Sequence, residues 1–274
     1  MPRLWPMTEP APLPTVVSRV PPAWLVRVLA LLCALVFIAL PSLLLPAGDP
    51  VAVLLLDHHA LPPPNSPFVY PFTIQNLMHL LLFAGFGELF VRWRVLRDES
   101  ALLAAHLLPE DPRVVLQSHD LPAIRARVAG RHDGEQGVLP GLIDLCILQF
   151  QSSRSVDQVV SVLNSSLELI AHRVDLCYAM LRYLVWVIPT IGFTGTVIGI
   201  ALALNLIDPS AGTQPLGEIA QALGVAFYTT LVALIESAIL VLLLNLVQTR
   251  EERVLNQAGH YTLVNLVNRL YAGH

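Results

Sequence analysis

Four stretches of the chain are long, apolar and almost free of charge, with polar segments between them. The first covers 25–45, with Pro41 and Pro46 expected to break its end, and the second covers 67–91. The third, 183–207, has no ionisable side chain beyond the tyrosine at its edge, and the fourth covers 216–249. A helix crosses a bilayer with about 20 apolar residues, so each stretch is predicted to be a transmembrane helix. The fourth exceeds that length, and tilting or continuing past the membrane accommodates the excess. The expected fold class is all-α: a polytopic membrane protein with four spans. Extensions of the last two spans and the 92–182 insertion would form a helical cytoplasmic region.

The connecting segments differ in character. Residues 1–24 are a Pro-rich tail without the composition of a core, and disorder is expected there. The loop 46–66 carries Asp49, Asp57, His58, His59 and the run Pro62-Pro63-Pro64. Within 92–182, Pro109, Pro112 and Pro122 and the glycines Gly130, Gly134 and Gly137 predict short helices separated by turns. Further on, Val156, Val160, Leu163, Leu167, Ile170, Val174, Cys177, Leu181 and Leu184 recur in steps of four and three. That is a heptad seam on one long helix, with Ser155 and Gln158 placed to cap its start. No breaker precedes Pro189, so the helix is predicted to run unbroken into the third span and to project about 40 Å at 1.5 Å per residue. Such a seam needs a partner, either the extended fourth span or a neighbouring subunit. Residues 208–215 form a short polar turn, and 250–274, with Leu255, Leu263, Val267 and Leu270, reads as an amphipathic tail.

Charge sets the orientation. The 274 residues are 55% hydrophobic and 13% charged, against about 25% charged in a soluble domain. All basic residues are arginines, and none falls in 28–91 or 183–249. Arginine-rich flanks stay cytoplasmic, so each gap leaves the cytoplasm and returns, placing both termini inside. A net charge of −4 points to no nucleic-acid partner. Cys33, Cys146 and Cys177 show no pairing or metal spacing and read as reduced packing thiols. Adjacent His58 and His59 beside Asp57 cannot easily share a metal ion without further ligands. No phosphate loop, G-x-S-x-G or H-E-x-x-H is present, so the chain is not expected to be an enzyme, and no cofactor or metal is called for.

The chemistry-bearing residues lie in the last two spans. Gly192, Thr196, Gly199 and Ala203 recur at helical spacing, and Gly195 with Gly199 forms a small-xxx-small pair. Ala222, Ala226, Thr230, Ala233 and Ser237 make a second small face. Such faces let helices approach closely, either against each other or against a third helix. Thr196 and Thr230 are their polar groups, with Thr229 the alternative about 100° around the helix. Membrane threonines usually bond back to the i−4 carbonyl and do nothing more. Glu236 is a possible intramembrane acid, or else lies near the inner interface or is protonated and hydrogen-bonded. Glu88 reads as an i,i+4 partner of Arg92, and His79 as a satisfied interfacial histidine.

Two motifs at these positions resemble the MotA/TolQ/ExbB family of ion-channel subunits. One is Pro189-x-x-Gly192-x-x-Gly195-Thr196-Val197-x-Gly199. The other is Ile219-Ala220-x-Ala222-Leu223-x-Val225-Ala226-Phe227-Tyr228-Thr229-Thr230-Leu231-Val232-Ala233-Leu234. The resemblance covers about residues 150–255. It implies a homopentameric ring around two copies of a single-span partner of the MotB/TolR/ExbD type, whose transmembrane aspartate takes up and releases H⁺ or Na⁺. It also implies residence in the bacterial inner membrane. Carried over, Thr196 and Thr230 match the polar positions of the ion path and Pro189 the proline of the same span, with Gly192, Gly195, Gly199 and Ala226 structural. TolQ-like and ExbB-like members tend to have a glutamate just ahead of the final-span threonine, where this chain has Val225. The partner's carboxylate therefore carries more of the burden.

The reading that follows is an ion-conducting motor or stator subunit. Four spans resemble the flagellar layout, whereas the G-T-V-x-G and double-threonine patterns resemble the TolQ/ExbB relatives. A non-conducting helical scaffold is the alternative. A transporter would be expected to show an inverted repeat, and none is apparent.

Overall fold

The structure, a computed structural model, describes residues 22–61, 68–111, 113–129, 137–207 and 215–271. The expectations for the tail before residue 22, for Pro62–Pro64, for Pro112, for Gly130 and Gly134, and for the turn at 208–214 lie outside these residues. The described chain forms eight α-helices and one 3-10 turn. Four helical runs among them are long and apolar enough to cross a membrane: Ala23–Leu44, Ile74–Leu103, Val156–Asn205 and Leu216–Arg269. The protein is an all-α polytopic membrane protein. It divides into two compact units, Arg92–Tyr178 with Leu246–His274, and Pro21–Val91 with Ala179–Asn245.

The first unit is built on helix α5 (Val138–Ser153), α6 (Val156–Cys177), the short α4 (Leu121–Val128) and the end of α8 (Leu216–Asn265). In α5, Leu139, Leu142, Ile143, Cys146, Ile147 and Phe150 are buried. Their three-and-four spacing puts them on one stripe, and that stripe forms the core with Val159 and Leu163 of α6 and Ala258 and Leu266. The heptad seam finds its partners within the unit: Val156, Val160, Leu167 and Ile170 pack on this core. Leu167 lies so close to Gly259 that a Cβ there would sit 2.7 Å from its Cδ1. Ser155 caps α6, its Oγ accepting from Gln158 N–H at 3.4 Å. The α5 N-terminus is capped from a distance. The Glu99 carboxylate accepts from Gly137 N–H at 2.6 Å and from Val138 N–H at 3.0 Å, which satisfies donors that a helix start leaves unpaired. Gly137 has φ +78°, a conformation that costs glycine little.

Three sequence expectations are corrected here. The long helix is interrupted at Tyr178, between α6 and α7 (Ala179–Asn205). Tyr178 is buried and its hydroxyl donates to Glu251 Oε2 at 2.6 Å, so a tertiary bond holds the turn and no local breaker is needed. The segment from 250 is no separate tail: α8 continues to Asn265, and Leu255 and Val267 point into the unit. Its end is anchored by Leu116 N–H donating to Arg269 O at 2.8 Å and Tyr271 N–H to Leu116 O at 3.0 Å. Glu88 is not paired with Arg92. Arg27 Nε donates to Glu88 at 2.5 Å, and Arg92 pairs with Glu251.

Cys146 is fully buried, and that burial pushes its thiol up to about 12. Thiolate is the reactive form, so Cys146 should resist maleimide in the folded protein and react after denaturation. Mass spectrometry of labelled peptides checks this, and prompt native labelling would contradict it.

In the second unit α1 (Ala23–Leu44) runs through Pro41 without stopping, whereas the sequence placed a break there. A transmembrane helix tolerates proline where neighbours can satisfy the freed backbone. The loop expected over 46–66 contains an unforeseen short helix, α2 (Pro50–Leu56), capped by Asp49 accepting from Val51 N–H at 2.9 Å. Its last carbonyls are met by α3 (Ile74–Leu103): Thr73 Oγ1, just ahead of α3, donates to Leu56 O at 3.0 Å, and His79 Nε2 lies 2.9 Å from Leu55 O. Gly85 and Gly87 bring α3 close to its neighbours. A Cβ on Gly87 would lie 2.9 Å from that of Ala30, and one on Gly85 would lie 2.9 Å from Leu240 Cδ1.

Candidate functional site

The small faces of α7 and α8 do pack against each other. Gly192, Gly195 and Gly199 are buried along one side of α7, facing Ala233, Thr229 and Ala226 in turn. At Gly199 an added Cβ would stand 2.8 Å from Ala226 N and 2.9 Å from Ala222 O. Those are backbone atoms, so α8 approaches α7 to a distance that only glycine allows.

This proximity sets the threonines. Thr196 Oγ1 crosses the interface to donate to Ala226 O at 3.1 Å, with Gly192 O of its own helix at 3.4 Å. Thr230 Oγ1 has Phe227 O at 2.9 Å and the same Ala226 O at 3.3 Å. The two hydroxyls therefore meet at one carbonyl rather than at each other, and both side chains are part-exposed. Thr229 differs. It is fully buried against Gly195 and donates to Ala226 O at 3.0 Å. A carbonyl has two lone pairs. Three hydroxyls around Ala226 O exceed what it can accept at once, so at least one hydroxyl can turn to another acceptor.

Pro189 sits inside α7 without ending it. It has no N–H to give the carbonyl four residues earlier, which belongs to Val185. Ser237 Oγ of α8 donates to Val185 O at 2.9 Å and so fills the vacancy. Ser237 was visible in the sequence only as a small residue.

Glu236 lies inside the helix bundle. It is buried and paired with His79 Nδ1 of α3, and the edge of Phe37 of α1 packs on the same imidazole at 5.2 Å between centroids. The sequence reading treated these two residues separately and passed over Gln75 and Asn76. Three polar side chains at 75, 76 and 79 inside one span were the available signal. The histidine pair His58 and His59 is dispersed. His59 is held by Asp57 at 3.0 Å and Gln221 at 3.0 Å, while His58 stacks on Tyr70 at 4.3 Å. Among the described residues, no group of three metal-ligating side chains occurs.

Neither curated proteins nor solved structures give a significant match to this chain. A family model does match, and its range takes in α5, α6, α7 and most of α8, with the threonines, the glycine face and Pro189 inside it. Over residues 141–259 the chain is similar to the MotA/TolQ/ExbB proton channel family, a likeness that points to a proton-channel type of multi-pass membrane protein.

Proposed function

We propose that the chain is the ring-forming subunit of an ion-driven motor in the bacterial inner membrane, with both termini in the cytoplasm. Five copies would surround two copies of a single-span partner whose aspartate carries the H⁺ or Na⁺. The observation that carries this reading is the meeting of Thr196 and Thr230 at the Ala226 carbonyl, on a part-exposed rim of the α7–α8 contact. Two hydroxyls and a carbonyl offer both donors and acceptors. They can accept a hydrogen bond from a protonated carboxyl, donate to the carboxylate once it is ionised, or lend oxygens to a dehydrating cation. An apolar rim could do none of these.

The energetics are of the right size. One charge crossing 100 mV releases about 2.3 kcal/mol, and a hydrogen bond to a charged group is worth about 1.5–3 kcal/mol. Ion passage can therefore switch which copy of the ring holds a partner carboxylate. Five sites around two carboxylates cannot all be satisfied together, so neutralising one contact favours a step to the next.

The test is proton uptake by vesicles containing the chain and its single-span partner under an imposed potential. Thr196→Val/Thr230→Val keeps shape and removes both hydroxyls, and flux is expected to fall about tenfold or more with the ring still assembled. Thr229→Val, whose side chain is buried against Gly195 and off the part-exposed rim, should leave flux close to wild type. Full flux in the double variant would remove the threonines from the path.

A further inference from the structure

Away from the threonines, the transmembrane unit holds an ionisable pair that the proposed ion path does not use. His79 is 2% exposed and Glu236 5%. The two are joined through His79 Nδ1 and Glu236 Oε1. The position is well inside the bundle. From Arg27, paired with Glu88 near one end of α1, to Phe37 on the His79 ring is ten residues, or about 15 Å of helix. Along α8, Glu236 lies six residues past Thr230, about 9 Å.

The hydrogen bonds fix how many protons the pair holds. Leu55 O can only accept, so His79 Nε2, at 2.9 Å from it, carries a hydrogen. The contact between Nδ1 and Oε1 then contains one more proton, since two bare acceptors would repel there. That proton resides either on the carboxyl, making both groups neutral, or on the ring, making an imidazolium–carboxylate pair. The two forms differ by one transfer along the same bond and share zero net charge, the state an apolar interior favours. Removing the proton leaves a lone carboxylate facing a lone pair. Adding one, on Glu236 Oε2, leaves an imidazolium beside a neutral acid.

Buried polar atoms with unmet hydrogen-bonding capacity are present on both residues' helices. Glu236 Oε2 is buried with no hydrogen-bond partner, and so are both amide atoms of Gln75, one turn earlier on the His79 face of α3. Gln75 is itself 0% exposed. Buried polar atoms without partners are rare and call for a ligand or water. Among the described residues, the other titratable side chains on the packed elements are few. Between Ile74 and Glu88, α3 offers no other titratable side chain, and α7 offers none between Leu184 and Asn205. Along α8 from Ile219 to Thr249 the only other one is Tyr228. From α1 come Phe37 and the exposed Cys33, with Arg27 already paired, and beyond Leu55 Asp57 is paired with His59 while His58 stacks on Tyr70.

We propose that His79 and Glu236 together form a proton-binding site belonging to this chain, with Glu236 Oε2 and Gln75 framing the place where a proton or water is exchanged. The pair is also a polar link joining α3 to α8, and through Leu55 O to α2. Gain or loss of its proton therefore loosens that link. The site stands without the motor reading, and only its use in coupling rests on that reading.

The test is infrared difference spectroscopy of the full chain in lipid nanodiscs over a pH series, without partner or ion gradient. Its failure is therefore distinct from failure of the flux test. Subtraction of His79→Gln and Glu236→Gln spectra assigns the bands. The expected result is a carboxyl band and an imidazole band that change together at one midpoint, with both changes lost in His79→Gln/Glu236→Gln. In that variant two amides can still hydrogen-bond across the helices and hold the fold. Bands that move at separate midpoints, stay fixed from about pH 5 to 9, or survive in the double variant overturn the proposal. If the double variant fails to fold, the joint or separate midpoints of the wild type still decide.

Discussion

Gly192→Ala/Gly199→Ala is expected to separate α7 from α8 and to lower stability by about 2–6 kcal/mol, since overpacking at each site costs about 1–3 kcal/mol. The added methyls cannot be absorbed by a side-chain rotation. At Gly192 the new Cβ would fall 2.3 Å from Ala233 Cβ with Thr229 O at 3.1 Å behind it, and at Gly199 it meets Ala226 N and Ala222 O. The sites are two helical turns apart on one face, so α8 must retreat along its length and not merely tilt. Alanine is the better helix former by about 1 kcal/mol, which makes the sign informative. Gly224→Ala is the control. Its Cβ would find only Tyr228 at 3.6 Å, an ordinary contact, and a gain of about 0.5–1 kcal/mol is expected. Thermal unfolding in detergent reads both. A double variant as stable as wild type would mean that the two helices are not in glycine-limited contact. Retreat of α8 would also withdraw Ala226 O from Thr196, so flux should fall with stability here, unlike in the threonine variants.

The four spans and the last two helices' small faces were legible because they are periodic. Apolar runs report burial or lipid, and glycine at three-and-four spacing reports a close approach. The choice between Thr229 and Thr230 could be posed from the sequence as a choice of face, although periodicity could not say that both hydroxyls, with that of Thr196, would converge on one backbone oxygen. Carbonyl positions carry no sequence signal. The same blindness explains Ser237, whose partner is the Val185 carbonyl released by Pro189. It explains α2 as well, whose last carbonyls are met by Thr73 and His79.

Pairings were the least legible feature. Glu88 and Arg92 satisfy the i,i+4 rule, yet each takes a partner about 60 or more residues away, Arg27 and Glu251 respectively. An i,i+4 pair on a helix surface is worth only about 0.2–0.5 kcal/mol, so a partner presented by another packed helix wins easily. Glu236 is the same lesson in the membrane. A lone acid in a span has to be explained, and the explanation lay on another span, in a histidine that looked unremarkable by itself. Tyr178 shows that a helix can be interrupted without glycine or proline when its side chain has a buried bond to make.

Glu251→Ala should be the most damaging single change in the first unit, at about 3 kcal/mol, because it strips one partner from a buried charge pair. Glu251 accepts from the Tyr178 hydroxyl at 2.6 Å, from Arg92 Nε at 3.3 Å and from the Arg92 terminal nitrogen, and the guanidinium lies 5.5 Å from the centre of the Tyr178 ring. Three elements are thereby tied: α3, the α6–α7 junction and α8. Without the carboxylate, Arg92, with 16% of its side chain exposed, keeps its charge in a poorly solvated place and Tyr178 loses its acceptor. Tyr178→Phe removes one hydrogen bond and should cost only about 1 kcal/mol. The decisive comparison is Arg92→Met/Glu251→Leu, which removes both charges and retains volume. Desolvation of the pair then no longer opposes folding, and this double variant is expected to be more stable than Glu251→Ala alone and within about 1 kcal/mol of wild type. Denaturation midpoints of the four proteins measured side by side give the order. If the double variant falls below Glu251→Ala, the network contributes net attraction beyond its desolvation cost, and the charges themselves hold the junction at Tyr178.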